Sequence, residues 1–203
     1  MVLAGGLATR MRPRTLTLPK SMLEVAGRPF VEWQLERLAR AGLQDVVMCV
    51  AFLGDQIRAH VGDGSRFGVR VAWVDEGPEL LGTAGALRNA LDLLAPTFLV
   101  TYGDSLLPFD YAAPLQALAG HDDCDGVMAV FGNLGKWDAS NVVTDGEWCC
   151  ATRKGRATPR LITSTTERRR CGARSSPPSR RACGWASTRS RGISRSGSAC
   201  GPA

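Results

Sequence analysis

Leu3-Ala4-Gly5-Gly6-Leu7-Ala8-Thr9-Arg10-Met11-Arg12-Pro13, with Leu18-Pro19-Lys20 close behind it, is the stretch on which the fold turns. Residues 2–4 start as a strand, and the strand breaks into a loop at Gly5-Gly6. Two glycines placed there let the backbone come close to a triphosphate, with amide N–H groups offered as donors. Arg10 and Lys20 add the positive charge that a pyrophosphate leaving group needs. Phosphoryl transfer asks a protein mainly for positioning and charge stabilisation. A Gly-Gly pair by itself reads as a tight turn with arginines on the surface. Thr9, Arg10, Pro13 and Pro19-Lys20, all in register with it, favour the phosphate loop. Neither G-x-x-x-x-G-K-[ST] nor a G-x-G-x-x-G after the first strand is present, which sets aside two other nucleotide motifs.

Outward from the loop, short apolar runs alternate with helical spacing. Residues 29–41 place Phe30, Trp33, Leu35, Leu38 and Ala41 near one helical face, with Gly42 as the C-cap. Strands are expected at 45–51, 69–74, 97–102, 126–131 and 141–144, and helices at 54–61, 82–94 and 111–119. Such alternation predicts an α/β fold, a three-layer Rossmann-like domain around a mostly parallel sheet. Trp33, Trp73 and Phe98 read as core.

Two further segments carry chemistry. Leu81-Gly82-Thr83-Ala84-Gly85-Ala86-Leu87 opens a helix. Its N-terminus and small residues can admit a flat base against the backbone, although alone it reads equally as an N-cap. Tyr102-Gly103-Asp104-Ser105 ends an apolar strand. A carboxylate at the C-terminal edge of a parallel sheet sits where such folds bind ligands. Asp104 there can hold a Mg²⁺ bridging two phosphate groups, or be a solvated turn residue. Glu76 and Glu79 read as surface loop acids, with contact to a base as the alternative.

The opening stretch resembles the G-G-x-G-T-R-x-x-P…P-K signature of the nucleoside-diphospho-sugar pyrophosphorylases, the sugar-phosphate nucleotidyltransferases. It departs at Ala8, where glycine is usual; the methyl costs little unless that residue needs φ > 0. The resemblance implies that Leu3, Ala4, Gly5, Gly6 and Thr9 hold the nucleotide, and that Arg10 and Lys20 are catalytic. Residues 81–87 are similar to the family's L-G-T-A-G-x-L segment, which assigns Gly82, Thr83 and Gly85 to the base and ribose. Among members, the guanylyltransferases acting on mannose or heptose 1-phosphates look closest, which favours GTP. The family's metal-binding aspartate falls at Asp104, with Mg²⁺ as cofactor. Trp137-Asp138-Ala139-Ser140-Asn141-Val142 resembles the sugar-side segment of small members, where Asn141 would bond sugar hydroxyls; a plain turn serves nearly as well. The implied reaction joins an NTP to a sugar 1-phosphate, releases pyrophosphate and supplies an NDP-sugar for cell-envelope or polysaccharide synthesis. A non-catalytic paralogue that binds the same ligands is the alternative.

Composition splits the chain in two. Residues 1–148 hold 12 Lys/Arg and 18 Asp/Glu, a balance of −6, whereas residues 149–203 hold 13 Lys/Arg and only Glu167, a balance of +12. After Trp148 the apolar periodicity stops, so a nucleotidyltransferase domain is expected over 1–148 and a disordered basic tail over 149–203. A shifted reading frame accounts for so abrupt a change inside an unfinished domain. Read from the third base of the Leu161 codon, compatible codons give Asp-Tyr-Ile-Asp-Tyr-Gly-Ala-Thr-Ala, similar to a sugar-binding strand of the family. The same shift at Gly184 gives a peptide with amphipathic helix spacing. The competing reading is an arginine-serine arm for RNA. The seven cysteines show no C-x-x-C pair and only His60 and His121 accompany them, so no zinc site is expected. No basic leader opens the sequence and no apolar run approaches the ~18 residues of a membrane span. A cytoplasmic location is expected, with NTP and sugar 1-phosphate as partners, neither membrane nor nucleic acid, and homo-oligomerisation left open.

Overall fold

The structure is a computed structural model that describes residues 1–77, 82–120, 124–131, 142–145, 148–152, 161–165 and 181–187. In chain order the elements are β1 (Val2–Leu3), β2 (Glu24–Val25), β3 (Arg28–Pro29), α1 (Phe30–Arg40), β4 (Asp45–Val50), α2 (Gly54–Val61), β5 (Arg70–Asp75), α3 (Gly82–Ala90), β6 (Thr97–Tyr102), α4 (Ala112–Ala119), β7 (Cys124–Phe131), β8 (Val142–Asp145), β9 (Trp148–Thr152), β10 (Leu161–Thr165) and β11 (Arg181–Ser187). Short 3₁₀ turns at Thr9–Met11, Arg14–Leu16 and Lys20–Met22 carry the chain from the glycine loop to the β2–β3 hairpin.

Nine strands form one sheet in the order β5-β4-β1-β6-β10-β7-β11-β9-β8. Its first four strands are parallel throughout, with Val2 opposite Met48 on one side and Thr101 on the other. From β1 the chain builds outward to β4 and β5, then returns to lay β6 on the other side of β1. The strand order therefore reverses at β1, and the crevice outside the C-terminal ends of β1 and β6 is where such sheets bind ligands. Beyond β6 the pairing is mixed: β10 runs antiparallel to both β6 and β7, while β11 runs parallel to β7.

Strand alternation divides the core between two faces. Val46, Met48 and Val50 pack with Leu35, Leu38, Ile57 and Val61 from α1 and α2. Val47 and Cys49 pack with Ala86 and Ala90 of α3 and with Phe98 and Val100. Helices on both faces make the three layers. Each fully buried side chain of the size of Leu35 or Ile57 contributes about 1.5–3 kcal/mol over its exposed state. Gly42 ends α1 in the left-handed region at φ 78°, with Leu43 N–H bonded to Leu38 O at 3.0 Å, so the expected cap is formed. No helix among the described residues is long and apolar enough to cross a membrane.

Two expectations change. Phe98 is buried, but Trp33 and Trp73 are only half-buried. Their indole N–H groups donate to Val25 O and Gly62 O, and Arg28 and Arg58 lie over their rings. A polar edge and a cation on the face keep a large aromatic at the surface. Secondly, strands continue past Trp148, at β9, β10 and β11, where the sequence predicts no regular structure.

Candidate functional site

The crevice beside β1 is an open cleft of about 340 Å³. Its floor is the end of β1 and the glycine loop (Leu3, Ala4, Gly5, Gly6, Ala8), and Arg10, Met11, Lys20 and Ser21 line one wall. Gly82, Thr83 and Ala86 of α3, Tyr102 at the end of β6 with Gly103-Asp104 behind it, and Glu76 after β5 complete it. Three segments far apart in sequence meet there because each follows the C-terminal end of a parallel strand.

The central polar contact joins the two motifs of opposite charge. Lys20 Nζ donates to Asp104 Oδ2 at 2.6 Å, and the two side chains are 37% and 39% exposed. Ser105 Oγ donates to the other carboxylate oxygen at 3.2 Å. Arg10 lines the same cleft and makes no ion pair among the described residues. Two cations, a loop of small residues and one accessible carboxylate suit a polyphosphate with a divalent cation shared between phosphate and protein.

Close backbone approach explains which glycines the fold itself needs. A Cβ on Gly103 would stand 2.9 Å from Ala4 Cβ and 3.1 Å from both Ala4 Cα and Leu3 O, so the β1 and β6 loops touch through it. A Cβ on Gly5 would meet Glu76 Oε1 at 2.6 Å. On Gly6 it would meet no protein atom within 4 Å, and Gly6 has no positive φ. Packing therefore demands glycine at 103, where backbone atoms stand in the way; a methyl at 5 would have to turn the Glu76 carboxylate aside, and one at 6 would meet no protein atom. Ala8 adopts φ 46° and ψ 41°, the left-handed conformation under which its methyl does carry a cost.

Of the residues singled out from sequence, Leu3, Ala4, Gly5, Gly6, Arg10, Lys20, Gly82, Thr83 and Asp104 line the one cleft. Thr9 does not; it is exposed in the 3₁₀ turn, where its carbonyl accepts from Arg12 N–H. Gly85 does not either, because helical spacing brings Gly82, Thr83 and Ala86 to the cleft and turns Gly85 aside. Asn141 and Glu79 lie outside the described residues.

Glu76 is the cleft residue that sequence reasoning placed on the surface. Burial pushes its carboxyl above the usual range. The same carboxylate adds to the burial that pushes the Cys49 thiol up to about 11. Its signal was positional: Glu76 directly follows β5, at the same sheet edge as Gly5 and Gly103. Tyr102, whose hydroxyl is 3.5 Å from Thr83 Oγ1, was likewise read only as the end of a strand.

Residues 1–139 match the family model described as "Nucleotidyl transferase". The chain is 46% identical over 117 residues to the N-acetylmuramate alpha-1-phosphate uridylyltransferase of Neisseria meningitidis serogroup B, covering 57% of this chain and 51% of that protein. It is 40% identical over 117 residues to the mannose-1-phosphate guanylyltransferase of Mycobacterium tuberculosis, covering 57% of this chain and 32% of that one. This chain thus spans between about a third and a half of these relatives' lengths. Among solved structures it resembles that of HddC from Yersinia pseudotuberculosis complexed with GMP-PN, with a TM-score of 0.65 and 25% identity over 81% of this chain and 75% of that one. With the glycine loop, Lys20 and Asp104 in one cleft and most of its length matched, the chain belongs to the nucleotidyl transferase family.

Proposed function

We propose that this protein is a sugar-1-phosphate nucleotidyltransferase. A phosphate oxygen of the sugar 1-phosphate attacks the α-phosphorus of an NTP, the bond to the β-phosphate breaks, and pyrophosphate leaves. The observation that carries the reading is the Lys20–Asp104 contact across the cleft, which unites the cation of the first motif with the carboxylate of the third. Gly5 and Gly6 shape the loop against the phosphates. Arg10 and Lys20 neutralise charge on the departing pyrophosphate. Leu3, Ala4, Gly82 and Thr83 take the nucleoside, with Glu76 facing them; Thr9 and Gly85 support them from outside the cleft lining. Asn141 remains the candidate for the sugar hydroxyls.

Among the described residues no three His, Cys, Asp or Glu side chains cluster as a ready-made metal cage. That suits Mg²⁺, which keeps several waters and binds through one or two carboxylates plus substrate phosphates. Asp104 is the residue that would hold it, and its chemistry there is to reduce repulsion between the two phosphate groups. Lys20 then passes from the carboxylate to the phosphates.

GTP is the proposed nucleotide. The resemblance of residues 81–87 to guanylyltransferases supports it, as does the GMP-PN in the HddC complex. The relatives named for uridylyl and guanylyl transfer make base choice a matter for direct comparison. Pyrophosphate release with GTP, CTP, UTP and dTTP against several sugar 1-phosphates tests the activity. Tight nucleotide binding without release would assign the non-catalytic alternative. Lys20→Ala is expected to lower turnover about 10²-fold or more. It should leave the melting temperature almost unchanged, because an ion pair this exposed contributes little to stability. Near-normal turnover would remove Lys20 from the reaction.

A further inference from the structure

We propose that Gln34, on α1 and outside the cleft, is the positioning residue that holds Asp104 in place. Tyr102 to Ser105 form a turn closed by Ser105 N–H donating to Tyr102 O at 3.1 Å, with Gly103 and Asp104 at its centre. Both ends of that turn are gripped by one side chain. Gln34 Nε2 donates to Tyr102 O at 2.7 Å and to Ser105 O at 3.0 Å. Gln34 is 1% exposed, so these bonds form away from water and hold the backbone on either side of the carboxylate.

The side chain is an uneconomical choice for stability alone. Its Oε1 is buried with no hydrogen-bond partner among the described residues, and an unsatisfied buried acceptor costs about 1–3 kcal/mol. On the same helix, Val31, Leu35 and Leu38 are apolar core. An apolar side chain at 34 would avoid the orphaned oxygen but would leave the two carbonyls flanking Asp104 without their side-chain donor. The amide is retained where its two N–H bonds fix a turn whose two central residues are glycine and the cleft's accessible carboxylate. The inference rests on the proposed function only in taking Asp104 as the phosphate- and cation-facing carboxylate.

The test uses the full chain with Gln34→Met, which keeps volume and removes both donors. Hydrogen–deuterium exchange of the amides at 103–105 should quicken by about tenfold or more, as two bonds of ordinary strength to a buried turn predict. Exchange in α1 and at residues 97–101 should stay as it was. Mn²⁺ binding in the presence of a non-hydrolysable nucleoside triphosphate, read by electron paramagnetic resonance, should weaken about three- to tenfold. Nucleotide binding without metal should hold. Unchanged exchange at 103–105 overturns the proposal, and so does equal quickening throughout the sheet, which would make Gln34 a core residue only. Gln34→Glu, which turns a carboxylate on both carbonyls, should release the same turn; failure of both variants to fold would also overturn it. The exchange measurement needs neither ligand nor turnover. A wild-type chain with a protected turn and no activity would therefore sink the proposed reaction and leave this inference standing.

Discussion

Ala8 holds the glycine loop in a conformation it does not favour. At φ 46° its methyl crowds the following carbonyl, a cost of about 1–2 kcal/mol that glycine escapes. The loop keeps it there because Ala8 O accepts from Met11 N–H at 3.0 Å and from Thr15 Oγ1 at 2.9 Å, and Thr15 is buried. Ala8→Gly is therefore expected to stabilise the protein by about 1 kcal/mol, less what glycine loses by freeing the unfolded chain. A rise in the urea midpoint checks this, and an unchanged or lower midpoint would show that the backbone is unstrained. At this scale the sequence was most legible where several residues kept register, as in Gly5-Gly6, Arg10, Lys20 and Asp104. It was least legible at single residues with ordinary types. Nothing local marks Glu76 as different from a surface acid, and nothing in α1 marks Gln34 as different from a polar residue facing water. Both are placed by contacts 68 or more residues away for Gln34, and by the close approach of Gly5 for Glu76.

The element that most depends on its surroundings is β1, only Val2–Leu3, held between β4 and β6 at the centre of the sheet. Val2 within it is fully buried, opposite Met48 on one side and Thr101 on the other, so a strand of two residues is fixed by its neighbours and not by its own length. The regular elements themselves were readable from period and punctuation, and α2 and β6 fall on the expected residues. The β2–β3 hairpin was not. Its two central residues, Ala26 at φ 51° and Gly27 at φ 78°, are both left-handed, and alanine is a poor signal for such a turn.

For the whole molecule, the decisive fact is where β10 lies. Leu161–Thr165 occupies an interior position between β6 and β7, so it would be flanked on both edges by strands whose sequences, Thr-Phe-Leu-Val-Thr-Tyr and Cys-Asp-Gly-Val-Met-Ala-Val-Phe, are largely apolar. An interior antiparallel strand ordinarily alternates, so that at least one of its faces is apolar. Leu-Ile-Thr-Ser-Thr instead places three hydroxyl residues in a row there, within a segment whose charge balance departs so far from that of residues 1–148. Local sequence and global position thus conflict, as they do when a chain does not belong to its place in a fold. We propose that residues from about Cys149 onward are read in a shifted frame. The gene is expected to give Asp-Tyr-Ile-Asp-Tyr-Gly-Ala-Thr-Ala when read from the third base of the Leu161 codon, a peptide whose tyrosines and isoleucine suit a strand better than Leu-Ile-Thr-Ser-Thr does. A chain expressed in the restored frame should also melt several degrees higher and keep the slow exchange of β6 that a proper neighbour provides. A nucleotide sequence with no such peptide in either alternative frame would leave the basic segment as a true part of the protein. Strong, salt-dependent affinity for RNA would then become the property to measure.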